Sequence, residues 1–392
     1  MSDLSYLQWP FFNDQQRELH TTLQSVSATK LNAHKETHPV DPIELQTFSK
    51  KIVTLLGQEN LLRYSVCAPF GGHFERLDVR SLCLIRETLA YQNGLFDFAF
   101  AMQGLGSAPI SLFGSKEQKE KFIPKVATGE LIPAFALSEK DAGSDVAALS
   151  LTAKKEQNYY ILDGEKTWIS NAGLADFYLI FARTGEAPGA RGLSAFILPA
   201  GTAGLSVTEH IQTAAPHPLG TIRCDAVKIP AENLVGQPGK GFHIAMGTLD
   251  FFRSTVGGAA LGFAKRALDE ALKHASTRKI FDATLADLQL TQENIADSCL
   301  DIDAAALLIY RAAWAKDSGA DRITREASMA KLFATEAAQR VIDRSIQLLG
   351  ARGVVHNSIL EILYREIRPL RIYEGASEVQ KIVIARQEFA KK

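Results

Sequence analysis

The residues with the clearest chemical potential lie near the C-terminus, in Arg371-Ile372-Tyr373-Glu374-Gly375-Ala376-Ser377-Glu378-Val379-Gln380. Leu360, Leu363, Ile367 and Leu370 precede this stretch at helical spacing, so Glu374 falls where a helix ends and the backbone turns. Such a carboxylate has two readings. A lone glutamate beside a glycine is ordinarily solvated. Held against apolar and aromatic neighbours it would lose solvation, its pKa would rise towards neutrality, and it could take a proton from carbon. The decapeptide by itself leaves both open.

Two other stretches could hold a flat ligand. Phe135-Ala136-Leu137-Ser138-Glu139-Lys140-Asp141-Ala142-Gly143-Ser144-Asp145 reads as a strand followed by a turn rich in N–H groups and hydroxyls, a mould for the polar edge of a heterocycle or for a pyrophosphate. A plain connection between strands is the alternative. In Gly164-Glu165-Lys166-Thr167-Trp168-Ile169-Ser170-Asn171, Trp168 and Ser170 share one side of a strand, an aromatic wall with a hydroxyl beside it; a core tryptophan is the alternative.

Together these stretches resemble the signatures of the acyl-CoA dehydrogenases, flavoproteins that desaturate acyl thioesters, and the resemblance runs from the N-terminal helices to Ala385. It implies Glu374 as the base that removes the α-proton while the β-hydrogen leaves as hydride to FAD. It also implies Tyr373 and Gly375 beside the substrate, with the Glu374 N–H and a ribityl hydroxyl polarising the thioester carbonyl. Phe135, Leu137, Ser138, Gly143, Ser144, Trp168 and Ser170 would contact the flavin, Ser144 also lining the substrate site. Arg278, Phe281 and Gln289 resemble a motif that reaches the FAD of a neighbouring subunit, with Asp282 in place of the usual Gly. Gln347, Gly350 and Gly353 resemble a motif that backs the other end of the cofactor, with Ala351 in place of a Gly. In Leu249-Asp250-Phe251-Phe252-Arg253, Asp250 and Arg253 would meet the CoA arm, although Arg253 is equally readable as a surface residue. Some relatives carry their base immediately before this Arg. Phe252 stands there, so Glu374 keeps the role. The clearest departure is Ala215-Pro216-His217-Pro218-Leu219-Gly220, where many relatives have Met-Gly-x-Arg, so substrate specificity is not carried over.

Three kinds of element must position these residues. From Phe11 to about Leu131 the pattern is helical, with apolar residues three and four apart in Gln15 to Val26, Ile43 to Leu56 and Val79 to Asn93, and Ser115 as an N-cap. The run Leu95 to Gln103 is apolar on nearly every side and is expected in the core. The family places the floor of the acyl pocket near it, and the run offers no Arg or Lys for a second substrate carboxylate. From Ile132 to Pro230 short apolar runs such as Ala148 to Ala153, Tyr159 to Leu162, Phe177 to Ala182 and Leu193 to Leu198 alternate with Gly- and Pro-bearing turns, which reads as strands. From Gly239 onward long apolar stripes return, one through Ile295, Cys299, Ile302, Ala306, Ile309 and Ala313. Gly319 and Gly350 stand at expected C-caps.

The fold class expected is therefore α+β: an N-terminal all-α domain over 1–131, a small β-barrel or sandwich over 132–235, and a C-terminal four-helix-bundle-like domain over 236–392. No Gly-x-Gly-x-x-Gly follows a strand, so FAD would lie along the β-domain and C-terminal helices without a dinucleotide fold.

Composition narrows the partners. The 392 residues are 46% hydrophobic and 22% charged, with 43 Lys+Arg against 44 Asp+Glu, so no global basic field gathers nucleic acid or an anionic membrane. No apolar stretch is long enough to span a bilayer, and the first residues read neither as a signal peptide nor as a transit sequence, which suggests a cytoplasmic chain. Cys67, Cys83, Cys224 and Cys299 are far apart and the nine His have no ligand spacing, so neither a disulfide nor a metal site is expected. The partners expected from the resemblance are an acyl-CoA, an electron-transferring flavoprotein and further copies of the chain, a homotetramer ahead of a dimer. Two rival readings keep the fold: a flavin oxidase or monooxygenase, and a non-catalytic binding protein.

Overall fold

The computed structural model describes residues 4–390, and its elements follow the order helices, strands, helices. The first group is α1 (Asp14–Val26), α2 (Pro42–Gln58), α3 (Val79–Gln92), α4 (Gly94–Phe113) and α5 (Lys116–Ala127). Then come β1 (Pro133–Ala136), β2 (Thr152–Glu156), β3 (Tyr159–Ser170), β4 (Phe177–Arg183), β5 (Leu193–Pro199), β6 (Leu205–His210), β7 (Leu219–Pro230) and β8 (Leu234–Val235). The C-terminal part holds α6 (Gly241–Thr277), the short strands β9 (Lys279–Ile280) and β10 (Ala283–Thr284), α7 (Gln289–Asp317), α8 (Thr324–Leu349), α9 (Ile359–Leu370) and α10 (Ser377–Phe389).

Local chemistry sets several helix starts. Asn13 with Gln16, and Ser115 with Gln118, form capping boxes that satisfy the first free N–H groups of α1 and α5. Asp41 caps α2 ahead of Pro42, whose missing N–H costs nothing at that position. Gly319, just beyond α7, has φ 96, the left-handed turn that a C-terminal glycine supplies without strain.

The chain divides into two contact units. One comprises Thr37–Leu77 and Phe98–Leu249 and contains the large sheet, whose strand order is β6-β7-β3-β2-β4-β5-β8, with β1 pairing β4 in parallel. Among the described residues no pairing joins β6 to β8, so the expected β domain is an open mixed sheet and not a closed barrel. On β4, Tyr178, Ile180 and Ala182 enter one apolar cluster, while Phe177, Leu179 and Phe181 enter a second with Ile123 and Val126 of α5. Burial on both faces explains why Phe177 to Ala182 is continuously apolar, without the alternation of a half-exposed strand.

The other unit comprises Met1–Glu36, Asp78–Asp97 and Asp250–Lys392, and its regular elements among the described residues are helices apart from the β9–β10 hairpin. Its stripes on α7 and α8 are closed by small residues, among them Ala305, Ala306, Ala312 and Ala313 against Ala327, Ala330, Ala334 and Ala338, all at most 2% exposed. All four cysteines are free.

Candidate active site

The turn between α9 and α10 carries Glu374. Pro369 lies in the last turn of α9, and its carbonyl accepts from the N–H groups of both Ile372 and Tyr373, which closes the helix. The next two residues are both left-handed, Glu374 at φ 53 and Gly375 at φ 96. For glutamate that conformation costs about 1–2 kcal/mol, a strain typical of functional turns. Gly375 is favoured by its positive φ, and a Cβ there would lie 2.1 Å from Gln380 Nε2, displacing that amide from the turn.

Side chains from three helices hold this turn by its carbonyls. Gln380 Nε2 donates to the carbonyls of Glu374 at 3.1 Å and Gly375 at 3.0 Å. Lys331 Nζ donates to the Gly375 carbonyl at 2.8 Å, and Arg253 Nε donates to that of Glu374 at 3.4 Å. The flanks are tied separately by Glu336 on α8, which accepts from Arg371 Nε at 3.0 Å and from Ser377 Oγ at 2.5 Å. The Glu374 N–H has no acceptor among the described residues.

One oxygen of the carboxylate is unsatisfied. Glu374 as a residue is only half-buried, yet its Oε2 is sealed from solvent without a hydrogen-bond partner. Burial pushes its pKa up from the ordinary glutamate value, against the opposing pull of Arg86, Lys331 and Arg253 and with help from Asp97. Arg86 on α3 is buried, bonded twice to Asp97 and once, at 3.0 Å, to Thr255 Oγ1. A desolvated carboxyl with a raised proton affinity, under the opposing pull of nearby cations, is equipped to exchange a proton.

Of the sequence-derived site residues, Glu374, Tyr373, Gly375, Asp250 and Arg253 share this helical unit. Arg253 is 9% exposed and lies 3.8 Å from Asp250, so its alternative as a surface residue falls. Arg278 and Gln289 are exposed around the hairpin, whose tip residues Phe281 (φ 48) and Asp282 (φ 63) both take the left-handed region of a two-residue turn. Phe281 is 85% exposed there. Gln347 and Gly350 are exposed at the end of α8, while Gly353 is buried where a Cβ would meet the Ile346 carbonyl oxygen at 2.7 Å.

The remaining residues share the sheet unit. Trp168 sits at an irregularity of the β3–β7 pairing, at φ 61 and 57% exposed, while its neighbour Thr167 donates its N–H to the Ser138 carbonyl at 3.0 Å. Gly143 and Ser144 are exposed in the following loop, and nothing lies within 4 Å of a Cβ built on Gly143. A large exposed ring on a bulged strand, next to an open turn of N–H groups and hydroxyls, fits a flat cofactor with a polar edge such as a flavin. Ser170 is half-buried at the strand end. Phe135 instead packs inward, 5.0 Å from Phe181, and Leu137 is 9% exposed.

Sequence reasoning missed Lys331, Gln380, Glu336 and the Arg86–Asp97 pair. It also sought a cation only within Leu95 to Gln103, whereas Arg86 comes from the preceding helix and pairs with Asp97 of that run. The signal for Lys331 was present: one lysine on a stripe otherwise made of Ala327, Ala330, Ala334 and Ala338.

Three family models match the chain: acyl-CoA dehydrogenase N-terminal domain over residues 13–130, middle domain over 134–227 and C-terminal domain over 239–389. The chain is 36% identical over 358 residues to a 3-(aryl)acrylate reductase of Clostridium sporogenes, covering 90% of this chain and 94% of the relative. It is 37% identical over 388 residues to the human mitochondrial short-chain specific acyl-CoA dehydrogenase, covering 94% and 92%. A solved acyl-CoA dehydrogenase from Bacillus anthracis, complexed with FAD, superposes with a TM-score of 0.87 at 28% identity over 100% of this chain and 71% of that one. No helix of the described residues is long and apolar enough to cross a membrane.

Proposed function

The chain belongs to the acyl-CoA dehydrogenase family of oxidoreductases, and from that premise we propose that it uses FAD to introduce an α,β double bond into an acyl-CoA thioester, with Glu374 as the base. The observation that carries this reading is the Glu374 carboxylate, sealed at Oε2 and unpartnered on a strained turn.

When bound, FAD supplies the acceptor for the hydride that leaves the β-carbon. Glu374 takes the α-proton, and the two C–H bonds are replaced by one C=C bond. Burial raises the carboxyl's proton affinity for that transfer, and the surrounding cations favour the ionised form that begins it. The free N–H of Glu374 would donate to the thioester carbonyl oxygen, where negative charge develops as the proton departs. Because Gln380, Lys331 and Arg253 hold the carbonyls of the turn, this N–H is oriented before substrate arrives. As the resemblance implies, Trp168, Ser138 and the loop through Gly143 and Ser144 would hold the flavin ring, and Phe281 would reach the FAD of a neighbouring copy of the chain. Asp250 and Arg253 would face the CoA arm. Should the chain run as a reductase, the same carboxyl would deliver the proton, by microscopic reversibility.

Our proposal includes a cytoplasmic homotetramer with electron-transferring flavoprotein as its redox partner, and three domains divided near 131 and 235. The test is anaerobic mixing of the purified flavoprotein with straight, branched, cyclic and aryl-substituted acyl-CoAs. Bleaching of the flavin band by one thioester supports dehydrogenation and names the acyl class. Bound flavin that no acyl-CoA bleaches would contradict it, and rapid oxygen consumption would move the oxidase reading ahead.

A further inference from the structure

Three cations act on the Glu374 carboxyl, and they are not equivalent. Arg86 is neutralised by two hydrogen bonds to Asp97, and Arg253 has Asp250 at 3.8 Å. Lys331 is fully buried, and among the described residues no carboxylate forms an ion pair with it. Among the described residues its Nζ donates one hydrogen bond, to the Gly375 carbonyl. A charged side chain without a counter-ion is a costly occupant of an alanine stripe. Donation to a carbonyl does not explain it, because the neutral Gln380 amide already serves both carbonyls of the turn.

Resting on the reading of Glu374 as base, we propose that Lys331 is its positioning residue: it fixes the Gly375 carbonyl, and hence the left-handed turn, and sets a positive charge not held in a close ion pair to act on the carboxylate. Desolvation alone favours the protonated form of Glu374, which cannot start the reaction. Lys331 offsets it. The groups that face Glu374 are Arg86 from α3, Asp97 from α4, Arg253 from α6 and Lys331 from α8. Those that act on Lys331 are Glu374, Arg253, Glu336 and Glu378, and burial brings its own pKa down to about 8. The carboxylate and the ammonium thus support each other's charged forms.

The test compares Lys331→Met, Lys331→Gln and Lys331→Arg in the FAD-loaded enzyme. Loss of the charge raises the proton affinity of Glu374, so the acid limb of the pH profile for flavin reduction moves up by roughly one pH unit in the Met and Gln variants. Lys331→Arg keeps the limb near its original position. Equal slowing at every pH in the Met and Gln variants, with an unmoved limb, would overturn the proposal.

A second readout is independent of the reaction. At pH 7, where Lys331 keeps its charge, Glu374→Gln raises the unfolding midpoint more in the Lys331→Met background than in the original chain, and the two gains converge as the pH is lowered far enough to protonate Glu374 in both. Equal gains at pH 7 would refute the coupling even if no acyl-CoA reduced the flavin. Failure of the dehydrogenase reading would instead show as unbleached flavin with the stability coupling intact.

Discussion

Arg86 and Asp97 are joined by two hydrogen bonds, Nε to Oδ1 at 2.7 Å and Nη2 to Oδ2 at 2.8 Å, and both residues are buried in the unit that carries Glu374. Their charges act on the Glu374 carboxyl in opposite senses, Arg86 drawing its pKa down and Asp97 pushing it up. Pairing them lets a guanidinium stand in this interior without overriding the desolvation that makes Glu374 basic.

Asp97→Asn should therefore lower the proton affinity of Glu374, moving the acid limb of flavin reduction to lower pH, the opposite direction to Lys331→Met. It should also destabilise the fold by about 3–5 kcal/mol, because it leaves Arg86 buried without its counter-ion. A pH-resolved stopped-flow series with a denaturation curve checks both.

Strain at Glu374 gives a second expectation. Glu374→Gly removes a side chain from the left-handed region and should stabilise the fold by about 1–2 kcal/mol while abolishing the reaction. The sign of the pH dependence follows from the raised pKa of Glu374. The folded chain holds this proton more tightly than the unfolded chain, so Glu374 costs stability as pH rises from the ordinary carboxylate value through its raised one. The gain on removing it should grow across that window and level off above it, as urea midpoints at a series of pH values would record.

How much of this was legible in the sequence can be judged residue by residue. The helix–sheet–helix order followed from periodicity, and Ser115 and Gly319 marked helix ends because caps are local chemistry. Strand edges were less legible. The run expected from Ala148 begins as a strand only at Thr152, after a helical turn at Val146–Ala148, and the long strand β7 was not singled out. A bulge such as that at Trp168 depends on pairing with a distant strand, which a local window does not contain. The turn that carries Glu374 was legible from its neighbours, but its reading as a base came only from the family resemblance. Lys331 and Arg86 were not legible, because their importance lies in burial and in partners 44 and 11 residues away.

The sheet unit offers a third prediction. Lys166 is fully buried and donates to the Leu137 carbonyl at 2.9 Å and to Glu139 Oε1 at 2.8 Å, while Glu139 also accepts from the N–H of Ser150 and of Leu151. The pair thus ties down both ends of the loop that carries Ser138, Gly143 and Ser144. Lys166→Met should leave Glu139 charged and unpaired, destabilise the chain by about 3–5 kcal/mol and loosen the flavin. Adding Glu139→Gln should recover part of that loss. FAD retained per chain after dialysis, read with the unfolding midpoint, tests it.

The central claim is that Glu374 removes the α-proton. The direct measurement is anaerobic flavin reduction in Glu374→Gln, using the acyl-CoA that reduces the unaltered enzyme. The variant should keep its FAD and bind the thioester but lose reduction by at least ~100-fold, the scale on which a general base contributes. Reduction at an unchanged rate would remove Glu374 from the mechanism.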